Sequence, residues 1–154
     1  MASSPVLPAT WVRDLRLKRS RFVIRALRRD EGALLDDLMT RLSPRSRYLR
    51  FHAAVDVLTA ATRRALLDVD GRDHVALVAE IDGRAVGIAR FIRLSARAGA
   101  ADVAIAVADE HQRRGIGRQL MQSLADRAGA VQIDRLEAEH LPWNAAALGR
   151  ARAT

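Results

Sequence analysis

Val107-Ala-Asp-Glu-His-Gln-Arg-Arg-Gly-Ile-Gly-Arg-Gln-Leu120 is the stretch on which the reading of this chain turns. A strand of small and branched residues runs out near Ala108. A charged turn follows, and an amphipathic helix opens on Gly115 and Gly117. The first backbone N–H groups of a helix have no partner within it. They point out of the helix start, where the macrodipole also favours an anion. Gly115 and Gly117 carry no side chain, so a phosphate could approach the backbone closely. Arg113, Arg114 and Arg118 add positive charge around the same point. The spacing alone equally fits a glycine pair that serves only tight packing. It is not the dinucleotide fingerprint, which needs three glycines in a parallel βαβ unit. Nor is it a phosphate loop, whose lysine is missing here.

Outward from this point the order is strand, helices, three strands, helix, strand, helix. Upstream, Ala101-Asp-Val-Ala-Ile-Ala-Val-Ala108 alternates as a strand, with Val103, Ile105 and Val107 on one face and Asp102, Ala104, Ala106 and Ala108 on the other. His74–Ile81 and 85–94 read as two further strands, joined by Asp82-Gly83, a strong two-residue hairpin signal. Arg21–Leu27 is rich in strand formers. Asp30 is placed to cap a helix with Leu34, Leu35, Leu38 and Leu42 at helical spacing, closed by Pro44. Two shorter helices are expected at 46–51 and 58–67. Downstream, Ile116, Leu120 and Leu124 form the stripe of a helix that Gly129 is expected to stop. Residues 133–139 read as a last strand, and Asn144 is placed to cap a helix over 145–152. The order predicts an α/β (α+β) fold, a mixed sheet flanked by helices. Residues 1–20 are expected to be a tail and edge segment, and residues 21–154 the single domain.

Composition narrows the classes. The 154 residues contain no cysteine, which excludes disulfides, thiolate metal sites and a cysteine nucleophile. No apolar run reaches the roughly 20 residues that span a bilayer. The start shows no basic region followed by an apolar stretch, so a cytoplasmic protein without membrane association is expected. The net charge of +8 rests almost wholly on arginine, Lys18 being the only lysine. That charge favours anionic partners, or reflects a codon bias toward arginine spread along the chain. Four per cent aromatics and no recognisable module argue against a nucleic-acid-binding protein.

Gln112-Arg113-Arg114-Gly115-Ile116-Gly117 resembles the Gln/Arg-x-x-Gly-x-Gly/Ala motif of the GNAT family of N-acetyltransferases, and the element order from residue 21 to 150 resembles that family too. The resemblance implies a mostly antiparallel sheet and acetyl-coenzyme A as acyl donor. It implies that Gln112, Arg113, Arg114, Gly115, Ile116, Gly117 and Arg118 hold the pyrophosphate. Ile105, Ala106 and Val107 would line the pantetheine arm, and Asn144 would contact the cofactor. Arg41-Leu-Ser-Pro-Arg-Ser-Arg-Tyr-Leu-Arg-Phe51, Ala101-Asp-Val-Ala104 and Leu141-Pro-Trp-Asn144 resemble segments of bacterial Pat-type protein lysine acetyltransferases. That branch places a glutamate general base where Asp102 stands here, one methylene shorter.

Acetyl transfer to an amine needs a held thioester, a proton acceptor and oxyanion donors. Asp102 is the leading base; Glu137, Glu139 and His140 are the other candidates. His111 reads as a loop histidine, and His52 and His74 lack a metal-ligand pattern. Tyr48 and Phe51 read as packing residues, Arg47 and Arg50 as a solvated helix face. No tyrosine follows Asn144, so the thiolate leaves unaided or takes its proton from water. Family members continue with further strands where this sequence stops at Ala151-Arg-Ala-Thr154. The resemblance therefore implies a C-terminally truncated sheet whose open edge invites a homodimer or a strand-donating partner. An acetyltransferase acting on a small amine or a protein lysine is the first functional reading. A protein that binds coenzyme A without transferring acetyl is the second.

Overall fold

The computed structural model of the protein describes residues 6–17, 20–42 and 60–137. Among them six strands form one sheet in chain order: β1 (Val12–Leu17), β2 (Ser20–Ala26), β3 (His74–Ile81), β4 (Arg84–Arg93), β5 (Ala100–Val107) and β6 (Arg135–Glu137). Neighbours from β1 to β5 are antiparallel, and β6 runs parallel to β5. The described helices are α1 (Gly32–Thr40), α2 (Ala60–Leu67) and α3 (Ile116–Ala130). This is the mixed, mostly antiparallel sheet flanked by helices that the sequence predicts. The expected helix at 46–51 and the last helix at 145–152 lie outside the described residues.

The meander β3–β4–β5 positions everything else. Asp82 and Gly83 take φ of 51° and 78°. Two positive φ values in a two-residue loop match the twist of the strands they join. Alternation then sends side chains to two cores. Leu77, Ala89, Phe91 and Val103 pack with Ile116, Leu120 and Leu124 of α3 on the back face. Val78, Ile88 and Ala106 pack with Leu35, Leu38 and Met39 of α1 on the front face. A sheet covered on both faces needs apolar residues at successive positions, which is why these strands read as near-continuous apolar runs. A register shift at Ala79/Glu80 leaves Val86 as an extra residue in β4. Val86 joins the back-face core.

At the amino end, β1 is the outer strand of the described sheet. Leu7 is buried in the back-face core, and its N–H donates to the Gly71 carbonyl at 2.9 Å. The guanidinium of Arg13 reaches across to the Ser123 hydroxyl on α3 at 2.8 Å.

Two helix ends differ from the sequence expectation. Glu31, not Asp30, is the N-cap of α1. Its carboxylate accepts from the Arg28 N–H at 2.8 Å and from Arg25 at 2.7 and 2.6 Å. Arg25 also donates to Glu80, so one guanidinium holds the head of α1 against β2 and β3. Gly129 does not stop α3. The helix runs to Ala130, and Gln132 takes the left-handed conformation at φ 64°. The Ile133 N–H then bonds Ala128 O at 2.9 Å and the Gln132 N–H bonds Gly129 O at 3.2 Å. Burial of Ile133 and Ala128 drives this closure, the apolar contact of a Schellman end.

A buried polar chain ties α2 to the front of the sheet. Arg90, 2% exposed, donates to Leu66 O at 2.8 Å and lies 2.7 Å from His74 Nε2. His74 Nδ1 lies 2.9 Å from Asp68 O. A carbonyl only accepts and a guanidinium only donates, so Nδ1 carries the proton and the ring is neutral. Burial first, and the Arg90 charge second, push the His74 pKa down to about 4. The unfolded chain therefore binds a proton that the folded chain refuses between about pH 6.5 and 4. Folding stability is expected to be full above pH 6.5 and to fall by roughly 3 kcal/mol as pH drops through that window. Urea unfolding across it should show the loss in the native sequence and a clearly shallower one in His74→Gln. Equal slopes would remove His74 as the cause.

Candidate functional site

β5 ends at Val107, and the buried Ala108 adds one more ladder bond, its N–H to Val86 O at 2.8 Å. A short 3-10 turn, Asp109–His111, follows. The end of α1 braces this turn. Arg41 O accepts from the Asp109 N–H at 3.4 Å. Its guanidinium donates to Ala85 O, bonds Asp37 at 2.9 Å and lies 3.7 Å from Glu110. Gln112 folds back, its amide donating to Val107 O at 3.0 Å. Arg113 and Gly115 are both left-handed, at φ 63° and 87°, while Arg114 between them is not. Such alternation turns successive N–H groups to one side and makes an anion-binding concavity.

The first bond within α3 runs from the Gln119 N–H to Gly115 O at 3.1 Å. The N–H groups of Ile116, Gly117 and Arg118 therefore lead the helix with no partner one turn before them. Ile116 is buried and anchors the turn, whereas Gln112, Arg113, Arg114 and Arg118 are exposed. A Cβ on Gly117 would lie 3.6 Å from Val107 Cγ2 and 3.7 Å from Ile105 Cδ1, ordinary contact distances. Packing within the protein thus does not require glycine there. Gly87 is the opposite case. A Cβ on it would meet Leu120 Cδ1 at 3.1 Å and Ala106 O at 3.3 Å. Neither the close approach at Gly87 nor the bracing by Arg41 is expected from the sequence; an isolated glycine inside a strand pattern is the available signal for the first.

The sequence-predicted residues fall into two groups. Gln112, Arg113, Arg114, Gly115, Ile116, Gly117 and Arg118 line the strand-to-helix turn, with Ile105 and Val107 of β5 beside Gly117. Ala106 points to the other face, into the front core. Asp102 stands apart, five residues back along β5, roughly 17 Å at about 3.3 Å per residue. It is in register with Ile92 on β4 and Glu137 on β6. Glu137 is held by both guanidinium nitrogens of Arg97 at 2.9 Å. His111 lies 3.7 Å from Glu110. Asn144, Glu139, His140 and Tyr48 lie outside the described residues. Among the described residues no helix is long and apolar enough to cross a membrane.

A six-stranded, mostly antiparallel sheet whose meander ends in a glycine-opened helix defines an acyltransferase-like fold, and the comparisons agree. Residues 35–152 match the model of the Acetyltransferase (GNAT) family, and the chain belongs to that family. Acetyltransferase PA5475 of Pseudomonas aeruginosa is 33% identical over 122 residues, covering 77% of this chain and 64% of that protein. Acetyltransferase Pat of Mycolicibacterium smegmatis is 38% identical over 101 residues, covering 64% of this chain and 30% of that protein. The chain thus spans less than two thirds of the length of either relative. The crystal structure of the GNAT domain of S. lividans PAT superimposes with a TM-score of 0.82 at 30% identity, covering 93% of this chain and 86% of that one.

The room around Gly117 has a direct test. Alanine favours a helix over glycine by about 1 kcal/mol, so Gly117→Ala is expected to hold or raise Tm, by roughly 2 °C. A loss of several degrees in a melting experiment would return Gly117 to a packing role.

Proposed function

We propose that this protein transfers an acetyl group from acetyl-coenzyme A to a primary amine. The observation that carries the reading is the turn into α3. Left-handed Arg113 and Gly115 face a helix start whose second residue, Gly117, is glycine without a packing reason. Those N–H groups, with Gln112, Arg113, Arg114 and Arg118 around them, suit a pyrophosphate. In this reading the side chains of Ile105 and Val107 and the backbone of Ala106 border the pantetheine arm, and Asn144 contacts the cofactor. The distance of roughly 17 Å from Val107 to Asp102 suits the reach of an extended arm.

Acetyl-coenzyme A supplies the reactive thioester. Asp102 takes a proton from the acceptor ammonium, directly or through one water. The freed lone pair attacks the thioester carbonyl and forms the C–N bond; as the tetrahedral adduct collapses the C–S bond breaks, and the nitrogen's second proton passes through water to the departing thiolate. Backbone N–H groups provide the donors for the developing oxyanion. Asp102 lies on the front face and Gly117 against the back-face residues Ile105 and Val107. Protein lysine is the acceptor we favour, on the resemblance of Arg41–Phe51 and Leu141–Asn144 to segments of Pat-type protein lysine acetyltransferases. A cytoplasmic site of action fits such a donor.

Thermal shift and thiol-release assays test the reading separately. Acetyl-coenzyme A is expected to raise Tm of the native protein. Gly117→Glu should abolish that shift by setting a carboxylate against the pyrophosphate; an unchanged shift places the cofactor elsewhere. Asp102→Ala should keep the shift and lower kcat by about 10²–10⁴, with Asp102→Glu active. Native turnover in Asp102→Ala would remove it as the base.

A further inference from the structure

One cross-strand row runs beneath the proposed reaction. His74 pairs with Ile92, Ile92 with Asp102, and Asp102 with Glu137. Residues in register on neighbouring strands share a face, so these four side chains stand side by side on the front of the sheet. The next row inward, Ala76 and Arg90, is buried, and beyond it Val78, Ile88 and Ala106 are covered by α1. Ile92 alone of the apolar β3–β5 residues on this face is open, at 43% exposure. It lies within the sheet, with β3 on one side and β5 on the other.

Its neighbours say what could cover it. His74 is neutral and both its ring nitrogens are engaged, so it offers no charge. Arg90 is buried beneath. On the other side stand Asp102 and, one strand further, Glu137, with Arg97 and Arg135 about Glu137. An apolar floor beside a carboxylate complements a cation on an apolar stem. Cross-strand neighbours stand about 5 Å apart, so a stem lying along Ile92 ends beside Asp102.

We propose that Ile92 is the specificity-determining residue of the acceptor site. The unbranched methylene stem of a primary amine, as in a lysine side chain, lies along Ile92 and delivers its ammonium to Asp102. Glu137 is already paired with Arg97 and Arg135, so Asp102 is the carboxylate of the row to which the ammonium is delivered. This rests on the reading of Asp102 as proton acceptor and adds the shape of the acceptor to it.

The test is a series of linear amines from ethylamine to pentylamine, with isobutylamine and Nα-acetyl-lysine methyl ester, assayed by thiol release. In the native protein kcat/KM is expected to rise about two- to fourfold per added methylene and to fall for the branched amine. Ile92→Asn should raise acceptor KM about tenfold while leaving the KM for acetyl-coenzyme A within twofold, and Ile92→Leu should restore it. Ile92 is half-exposed, so its substitution is not expected to unfold the protein, and an unchanged melting curve checks this. A flat chain-length series, or an acceptor KM indifferent to Ile92→Asn, overturns the stem site and leaves the transferase intact. If acetyl-coenzyme A binds and no amine is acetylated, the transferase reading fails and the stem site with it.

Discussion

The path from β5 into α3 depends on the contact of Leu120 with the backbone of Gly87. A Cβ there would stand 3.1 Å from Leu120 Cδ1 and 3.3 Å from Ala106 O. Glycine therefore lets the first turns of α3 settle directly on β4 and β5. The bulge beside it contributes, because the extra residue Val86 sends its side chain into the same back-face core that holds Leu120. Val86 O in turn accepts from Ala108, carrying the β4–β5 ladder one step past the end of β5. The strand end and the helix start are thus fixed to the same two residues. The left-handed backbone at Arg113 and Gly115 has to close the short path between them, and in doing so it presents its N–H groups on one side.

Much of the arginine that gives the chain its charge works as internal fastening. Arg25 links β2 to Glu31 at the head of α1 and to Glu80 on β3. Arg41 links the end of α1 to β4 and to the turn before α3, and Arg93 reaches Asp73 and Val131 O. Arg90 holds the end of α2, a helix that buries none of its residues. A guanidinium suits these places because it offers five donors in a fixed fork and stays charged when partly buried. Net charge is therefore a poor guide to the partner of this protein. The informative cations are the exposed ones, Arg113, Arg114 and Arg118, that surround a helix start.

What the sequence made legible is local. Two positive-φ residues were readable at Asp82-Gly83 because that dipeptide pre-sets the turn. The strands β3 to β5 and the stripe of α3 were readable from periodicity. The missed features depend on tertiary partners. Glu31 displaces Asp30 as cap because Arg25 is near it in space. Gln132 ends α3 where Gly129 was the local signal, because burying Ile133 outweighs the strain of a left-handed glutamine. The site divides the same way. The cradle residues are contiguous in sequence and could be named from it, whereas the row joining His74, Ile92, Asp102 and Glu137 exists only through strand register.

That register also explains how one strand faces two chemistries. Side chains of β5 alternate, so Ile105 and Val107 turn toward α3 while Asp102 and Ala104 turn toward the front. A cofactor arm needs a smooth apolar wall, and the odd positions supply branched residues. A proton acceptor needs a carboxylate that is not packed under a helix. The even positions supply one at the open end of the strand and alanine, Ala106 and Ala108, where α1 closes over it. Shifting the pairing of β5 by one residue would exchange the two sets and bury Asp102 against α3. The register of β5 with β4 is therefore as much a part of the proposed site as any side chain in it.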